Sequence, residues 1–227
     1  MSKRSPSPKS ERILDVAEEL FALHGYDGVT LRQIATGAGV DVALANYHFG
    51  KKLDLFRAVF DRRSVELNQS RLQALRQFQA EAGPQGPSVE QIIEAFTRPL
   101  EIAQRDGDSG WANYLALVAY INNSPYWGPK MMTKLFDKLV LEFIEALRTA
   151  LPDAREEDIF WCYQNLSGSL TLALARTGRI DKLSGGTCRS SDLGAAFDRM
   201  IPFTAAGFRA VCQKGARTGT TRKKRSR

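Results

Sequence analysis

Reactive side chains are scarce in this sequence: two histidines, His24 and His48, and three cysteines, Cys162, Cys188 and Cys212, stand in 227 residues. The cysteines lie far apart and form no C-x-x-C, so neither a zinc ribbon nor a disulfide framework is indicated, and a reducing cytoplasm suits them. A nucleophile with its base, or a metal cluster, would have to be built from that short supply. The expectation is therefore no enzyme, no catalytic residue, no cofactor and no metal. Residues 109–129 carry no charge, yet they include Asn113, Asn122, Asn123 and two prolines, so no membrane partner is expected. The N-terminus lacks the apolar core of a signal peptide, and there is no internal repeat and no credible strand.

Charge needs a closer look than its total. The net value is +7, but Arg209–Arg227 holds eight Lys or Arg and no acid, which leaves residues 1–208 at −1. A nucleic-acid face must then come from local placement of charge. Hydrophobic residues at 43% and charged residues at 25% suffice for an ordinary packed core.

What the sequence does have is helical periodicity. Thr30–Phe49 reads TLRQIATGAGVDVALANYHF. Leu31, Ile34 and Ala35 follow Thr30, a good helix-capping residue, and Gly37 and Gly39 close that short helix. Asp41 is expected to cap a second helix, with Val42, Ala45 and Phe49 inward and Ala43, Asn46 and Tyr47 outward. Two short helices around a glycine turn make a helix-turn-helix, whose second helix enters the DNA major groove.

On either side the pattern stays helical. Ser10 is read as the start of the first helix, with Ile13, Val16, Ala17, Leu20 and Phe21 as its apolar stripe. Glu11, Asp15, Glu18 and Glu19 are assigned to or beside its wet face, and Gly25 to its end, with Tyr26 packing back. Lys51 and Lys52 open a long amphipathic run to about Gln79 and suggest a phosphate seat, or simple solvation. Ala82–Pro87 breaks the chain before a helix capped by Ser88, in which Pro99 is expected to kink. Residues 111–121 are apolar nearly all round, 131–151 form a further helix, and 159–175 contain no charged residue. Residues 176–189 read as a loop, and Ser191 as the cap of a last helix over about 192–213, bent at Pro202, with Phe197, Ile201, Phe203, Phe208 and Val211 inward.

The expected fold is all-α: an N-terminal three-helix helix-turn-helix domain and a C-terminal helical bundle, about nine helices in all. The boundaries are a basic arm at 1–9, the DNA-binding domain at 10–55, a ligand-binding and dimerisation domain at 56–213, and a basic tail at 214–227. Arm and tail either follow phosphates or are plain solvated segments.

The run ERILDVAEELFALHGYDGVTLRQIATGAGVDVALANYHFGKKLDLFRAVF resembles the DNA-binding domain of the TetR family of bacterial transcriptional regulators. The resemblance covers about residues 10–60. It implies a homodimer whose paired N-terminal domains bind successive major grooves of a palindromic double-stranded DNA operator. It also implies a C-terminal domain that dimerises through its last two helices and binds a small apolar effector, whose arrival releases DNA. Carried over by position, Thr30 contacts phosphate as a helix cap, Arg32 can reach a guanine, and Gln33 shares their surface. Val42, Ala43, Ala45 and Asn46 fall on or near the recognition surface, although Asn46 stands where tyrosine is more usual. Tyr47, His48 and Lys52 match phosphate-contacting or supporting positions; His48 as a packed neutral residue is the alternative. Asp158–Trp161 and Ile201–Arg209 look like the branch that senses fatty acids or acyl-CoA. That likeness implies an apolar tunnel lined by Phe96, Trp111, Met131, Phe136, Phe143 and Trp161, with Tyr114, Arg98, Asn113 and Asn165 as polar members; ordinary core packing is the alternative for each aromatic. The implied dimer face draws on Ser167, Gly168 and Thr171, and on Phe197, Ile201, Ala205 and Phe208. The alternatives are a constitutive DNA-binding protein and a regulator that senses a drug-like or aromatic metabolite.

Overall fold

The computed structural model describes the backbone of residues 7–218 and the side chains of residues 7–213. Within those residues the chain is all-α, with no strand. The helices are α1 (Pro8–His24), α2 (Leu31–Gly37), α3 (Val42–Phe49), α4 (Lys52–Ala82), α5 (Val89–Asp106), α6 (Gly110–Asn122), α7 (Thr133–Ala150), α8 (Glu156–Ala175), α9 (Arg179–Leu183) and α10 (Leu193–Thr218).

The first helix starts earlier than its apolar stripe suggested. Ser7 is the cap, its hydroxyl accepting from the Ser10 amide, and Pro8 follows where a missing N–H costs nothing. Ser7–Lys9 thus belong to α1 rather than to an arm; the rest of the arm, 1–6, lies outside the described residues. Ser88 does cap α5, in a reciprocal pair with Gln91. The final helix is capped by Asp192, whose carboxylate accepts from the Ala195 amide, and not by Ser191. It runs on to Thr218 into the segment assigned to the tail, of which 219–227 lie outside the described residues. The Gly- and Ser-rich stretch after α8 contains the short helix α9. A π-helical turn, Gly128–Met132, precedes α7. Pro99 and Pro202 lie inside helices that continue through them.

The chain forms two compact units that do not follow the expected boundary at 55/56: the residues up to Leu67 with Ala103–Leu135, and Asn68–Ile102 with the residues from Phe136 onward. In the first unit, Ile13, Ala17 and Phe21 of α1 meet Ile34 and Ala35 of α2 and Phe56 and Phe60 of α4, all fully buried. Phe21 meets Phe56 edge-on at 4.9 Å, and Tyr26 bridges Phe56 (4.9 Å) to Trp127 (4.7 Å). In the second unit, Phe96 packs on Phe143 at 5.0 Å, and α8 lies along α10 with Leu166, Leu170, Phe197, Ala205 and Phe208 buried. No helix among the described residues is long and apolar enough to cross a membrane.

Candidate nucleic-acid interface

The helix-turn-helix is fixed by local chemistry. The Thr30 hydroxyl accepts from the Gln33 amide at 3.2 Å, while the Gln33 side-chain oxygen accepts from the Thr30 amide at 2.8 Å. This capping box satisfies two otherwise open donors of α2. It also ties up the Gln33 oxygen, leaving its amide nitrogen as the group able to reach a ligand. Gly37 is needed for close approach, since a Cβ there would stand 2.8 Å from Val16 of α1. Gly39 turns the chain at φ 63°, and Arg12 donates from α1 to the Ala38 carbonyl at 2.9 Å. The turn is therefore pinned to α1 at two points.

That turn sets which face α3 presents. Ala45 is fully buried and Leu44 and Phe49 are half-buried, while Ala43, Asn46, Tyr47 and His48 are exposed, Tyr47 at 82%. Val42 sits at the margin of the exposed face. Ala45 cannot belong to a recognition surface, because its methyl group fills the seat of α3 on its own domain. His48 is exposed and rests beside Tyr47 and Phe49, so the packed alternative does not hold. Asp41 precedes α3 in extended conformation, but its side chain makes no capping bond.

The lysine pair divides. Lys51 is exposed. Lys52 is half-buried, and its ammonium donates to the carbonyls of Tyr26 and Val29, each at 2.9 Å, over the Tyr26 ring at 4.0 Å. Its charge is committed to fastening the loop before α2, the supporting one of the two roles read for it. Asp54 takes the Lys51 amide at 3.3 Å, so a carboxylate already occupies one open donor of α4. Thr30, Arg32 and Gln33 are exposed on α2 and its cap. Lys9 edges a hollow of about 370 Å³ with Thr36, Gly39, Val40, Asp41 and Leu44.

The residues assigned to an effector tunnel fall in different units. Trp111, Tyr114 and Met131 are buried and Asn113 half-buried in the first, with Trp111 and Tyr114 edge-on at 5.6 Å. Phe96, Phe136 and Phe143 are buried in the second. Three of the assignments are corrected. Trp161 is 67% exposed, Asn165 is exposed, and the Arg98 guanidinium is engaged by Asp198, Glu101 and Glu94. The second unit instead buries Arg71, which the helical pattern did not single out. Its Nε donates to the Phe96 carbonyl at 2.7 Å and its guanidinium lies 3.8 Å over the Phe96 ring. Burial pushes the Cys162 thiol up to about 12, with Cys212 adding to the effect, so it stays protonated at neutral pH.

The residues assigned to a dimer face are corrected too. Thr171, Phe197, Ile201, Ala205 and Phe208 are buried within the chain, where α8 meets α10, and Ser167 is half-buried. Gly168 remains on the open side. With it stand Phe160, Trp161 and Leu172 of α8, and Phe203 (77% exposed) and Val211 of α10, the last two having been read as inward.

Buried charge in the first unit also escaped the sequence reading. Glu18, assigned to the wet face, is 1% exposed and is held by Arg62 and Arg63. The one available signal was its position beside, rather than opposite, the α1 stripe.

Comparison with known proteins agrees with this arrangement. The family model described as "Tetracyclin repressor-like, C-terminal domain" matches residues 94–207, half of the chain, and "Bacterial regulatory proteins, tetR family" matches residues 13–59. The HTH-type transcriptional regulatory protein RaaS of Mycobacterium tuberculosis is 45% identical over 65 residues, 29% of this chain and 30% of that protein. The HTH-type transcriptional repressor AcnR of Corynebacterium glutamicum is 37% identical over 54 residues, 24% of this chain and 29% of that protein. This chain thus spans less than a third of the length of these curated relatives. A TetR-like transcriptional regulator from Rhodococcus sp. RHA1 shares the fold over 90% of this chain and 98% of its own, at TM-score 0.62 and 17% identity. The fatty acid degradation regulator FadR from Bacillus halodurans does so over 87% and 97%, at TM-score 0.55 and 15% identity. With the helix-turn-helix and the helical domain both matched, the chain belongs to the TetR family of bacterial regulatory proteins.

Proposed function

We propose that this protein is a ligand-responsive transcriptional repressor that binds a palindromic operator as a homodimer. The observation that carries the reading is the exposed face of α3, Ala43, Asn46 and Tyr47, held out by the buried Ala45 and flanked by Arg32 and Lys51. An asparagine and a small apolar side chain on a groove-sized helix suit adenine edges and thymine methyl groups, Arg32 suits a guanine edge and Lys51 a phosphate.

The homodimer is supported by the open side of α8 and α10. Trp161, Leu172 and Phe203 are each about two-thirds exposed or more, and an added Cβ at Gly168 or Gly207 would meet nothing within 4 Å. Covering a large apolar side chain is worth roughly 1.5–3 kcal/mol, and contiguous patches of this kind mark interaction surfaces. A second copy presenting the same face gives a closed two-fold pair. Two α3 helices then have to meet major grooves about 34–36 Å apart, so a small change in their separation loses one groove. The effector shifts that balance only if it binds the released state better.

A small apolar effector, with fatty acids and acyl-CoAs first to be tried, is supported by the apolar interior around Phe96, Phe136 and Phe143. Fluorescence anisotropy on the DNA upstream of the gene, with and without that panel, tests the whole reading. Saturable, salt-sensitive binding reversed by one compound is the expected result. Binding that no compound alters removes the effector from the reading and leaves a constitutive DNA-binding protein. Reversal by a drug-like or aromatic compound instead replaces the acyl class.

A further inference from the structure

The second unit buries two of the three cysteines against each other. Cys162 stands in the second turn of α8 at 4% exposure, and Cys212 in the last two turns of α10 at 2%. The two helices pack together, and their thiols share a hydrogen bond. Side chains in such contact already meet as a disulfide requires. The chain neighbours of the two cysteines face water, Trp161 at 67% and Val211 at 40% exposure. The sulfur pair therefore lies directly behind the open apolar face. No group of three or more His, Cys, Asp or Glu able to hold a metal ion occurs among the described residues, whereas a disulfide needs only two sulfurs.

The two sulfurs are not equivalent. Burial raises both thiols above their ordinary range, and the nearby Asp158 carboxylate adds to it. At Cys162 the contact with Cys212 pushes in the same direction, while at Cys212 the bond from Cys162 works against burial. Cys162 thus donates and Cys212 accepts, so Cys212 is the first to part with its proton. Bulky thiol reagents are kept out by the seam. Hydrogen peroxide is small and uncharged, and the last turns of a helix such as α10 open at little cost.

We infer that Cys162 and Cys212 are a peroxide-oxidisable dithiol, a modification site whose closure to a disulfide bolts α8 to α10 behind the apolar face. The Cys212 thiolate attacks one oxygen of hydrogen peroxide, the O–O bond breaks, and hydroxide leaves to take up the released proton as water. The Cys162 sulfur then attacks the sulfenic acid so formed. The S–O bond breaks, the S–S bond forms, and a second water leaves with the Cys162 proton. Two thiols are oxidised and one peroxide is reduced to two waters. The site stands whether or not the face in front of it pairs with a second copy. Its test uses the full-length chain carrying Cys188→Ser, which removes the exposed cysteine and leaves the core intact. After mild treatment with hydrogen peroxide, mass spectrometry should find the loss of two hydrogen atoms and a peptide pair joined at 162 and 212. The thermal midpoint should rise by about 5–10 °C, because residues 163–211 become a closed loop, and dithiothreitol should reverse both changes. With Cys162→Ala added, Cys212 should persist as a sulfenic acid that dimedone captures. Thiols that stay reduced, that gain oxygen without a cross-link, or that join only after the chain is unfolded in urea overturn the site. So does a cross-link between two copies in place of one within the chain.

Discussion

The two faces that the protein turns outward are opposite in chemistry. On α3 the exposed residues are polar or small, Ala43, Asn46 and His48 around Tyr47, on a helix whose seat is the fully buried Ala45. On α8 and α10 they are large and apolar, Trp161, Leu172 and Phe203, over a buried seam of Leu166, Leu170, Phe197 and Phe208. A polar face loses little by waiting in water for a charged groove. Apolar side chains are costly to leave wet, which supports the proposed pairing of this face with a second copy. The difference teaches that exposure alone does not name a partner; the residue types exposed do.

The most severe way to break the comparison is to charge the apolar face. Phe203→Glu is expected to yield monomers in analytical ultracentrifugation and to weaken binding to a two-half-site operator by about 10²–10⁴-fold, the effective-concentration advantage of a linked pair. The thermal midpoint of the monomer should change little, because Phe203 is 77% exposed. Phe197→Ala, one turn and a half away but buried, is expected to do the converse and cost about 3–5 kcal/mol of stability. If Phe203→Glu remains dimeric, the open side of α8 and α10 is not the interface.

On the polar face the expected effects are smaller and specific. Arg32→Ala should cost about 1–3 kcal/mol of operator affinity and relax one base position in a binding-site selection. Equal discrimination before and after would show that Arg32 reads no base. The adjacent lysines separate positioning from contact. Lys51→Ala should reduce the slope of log affinity against log salt by about 1. Lys52→Met should leave that slope alone and lower stability by about 1–3 kcal/mol, since the carbonyls of Tyr26 and Val29 lose their donor.

The lysine pair also marks how far a sequence can be read. Helical period gives the direction of each Cα–Cβ bond, which sufficed for the all-α class, for the Thr30 cap and for turning Ala45 inward. Position-by-position resemblance then moved Ala45 to the recognition surface, and burial sides with the period. A long charged side chain ends several bonds from its Cβ, so the period left open whether Lys52, Arg63 or Arg98 would reach water or a partner. The residues read as a dimer face are buried within the chain for a related reason. Phe197, Ile201, Ala205 and Phe208 are as apolar as an interface should be, but α8 of the same chain uses them first. Which apolar stripe remains after intrachain packing depends on helix rotation, and a single sequence does not carry that angle.

The smallest effect concerns how firmly α10 is held behind its apolar face. Arg209 of α10 donates to both oxygens of Glu90 on α5, at 2.8 and 2.5 Å. The bond from Arg209 lowers the Glu90 pKa from its ordinary 4.5, partly opposed by burial. A carboxylate depressed on folding contributes stability that is fully present above the unfolded value and is lost as pH falls through the lower folded one. The midpoint difference between wild type and Glu90→Gln should therefore be constant at neutral pH and shrink below about pH 4.5. Because the partners are 41% and 37% exposed, water screens the pair and the expected size is about 0.5 kcal/mol. A difference that grows on acidification would mean that Glu90 is stabilised in its neutral form and that Arg209 does not anchor α10. Asp108 obeys the same sign, its pKa lowered chiefly by the bond from Arg63, so acid should loosen the first turn of α6 along with the Glu90 pair.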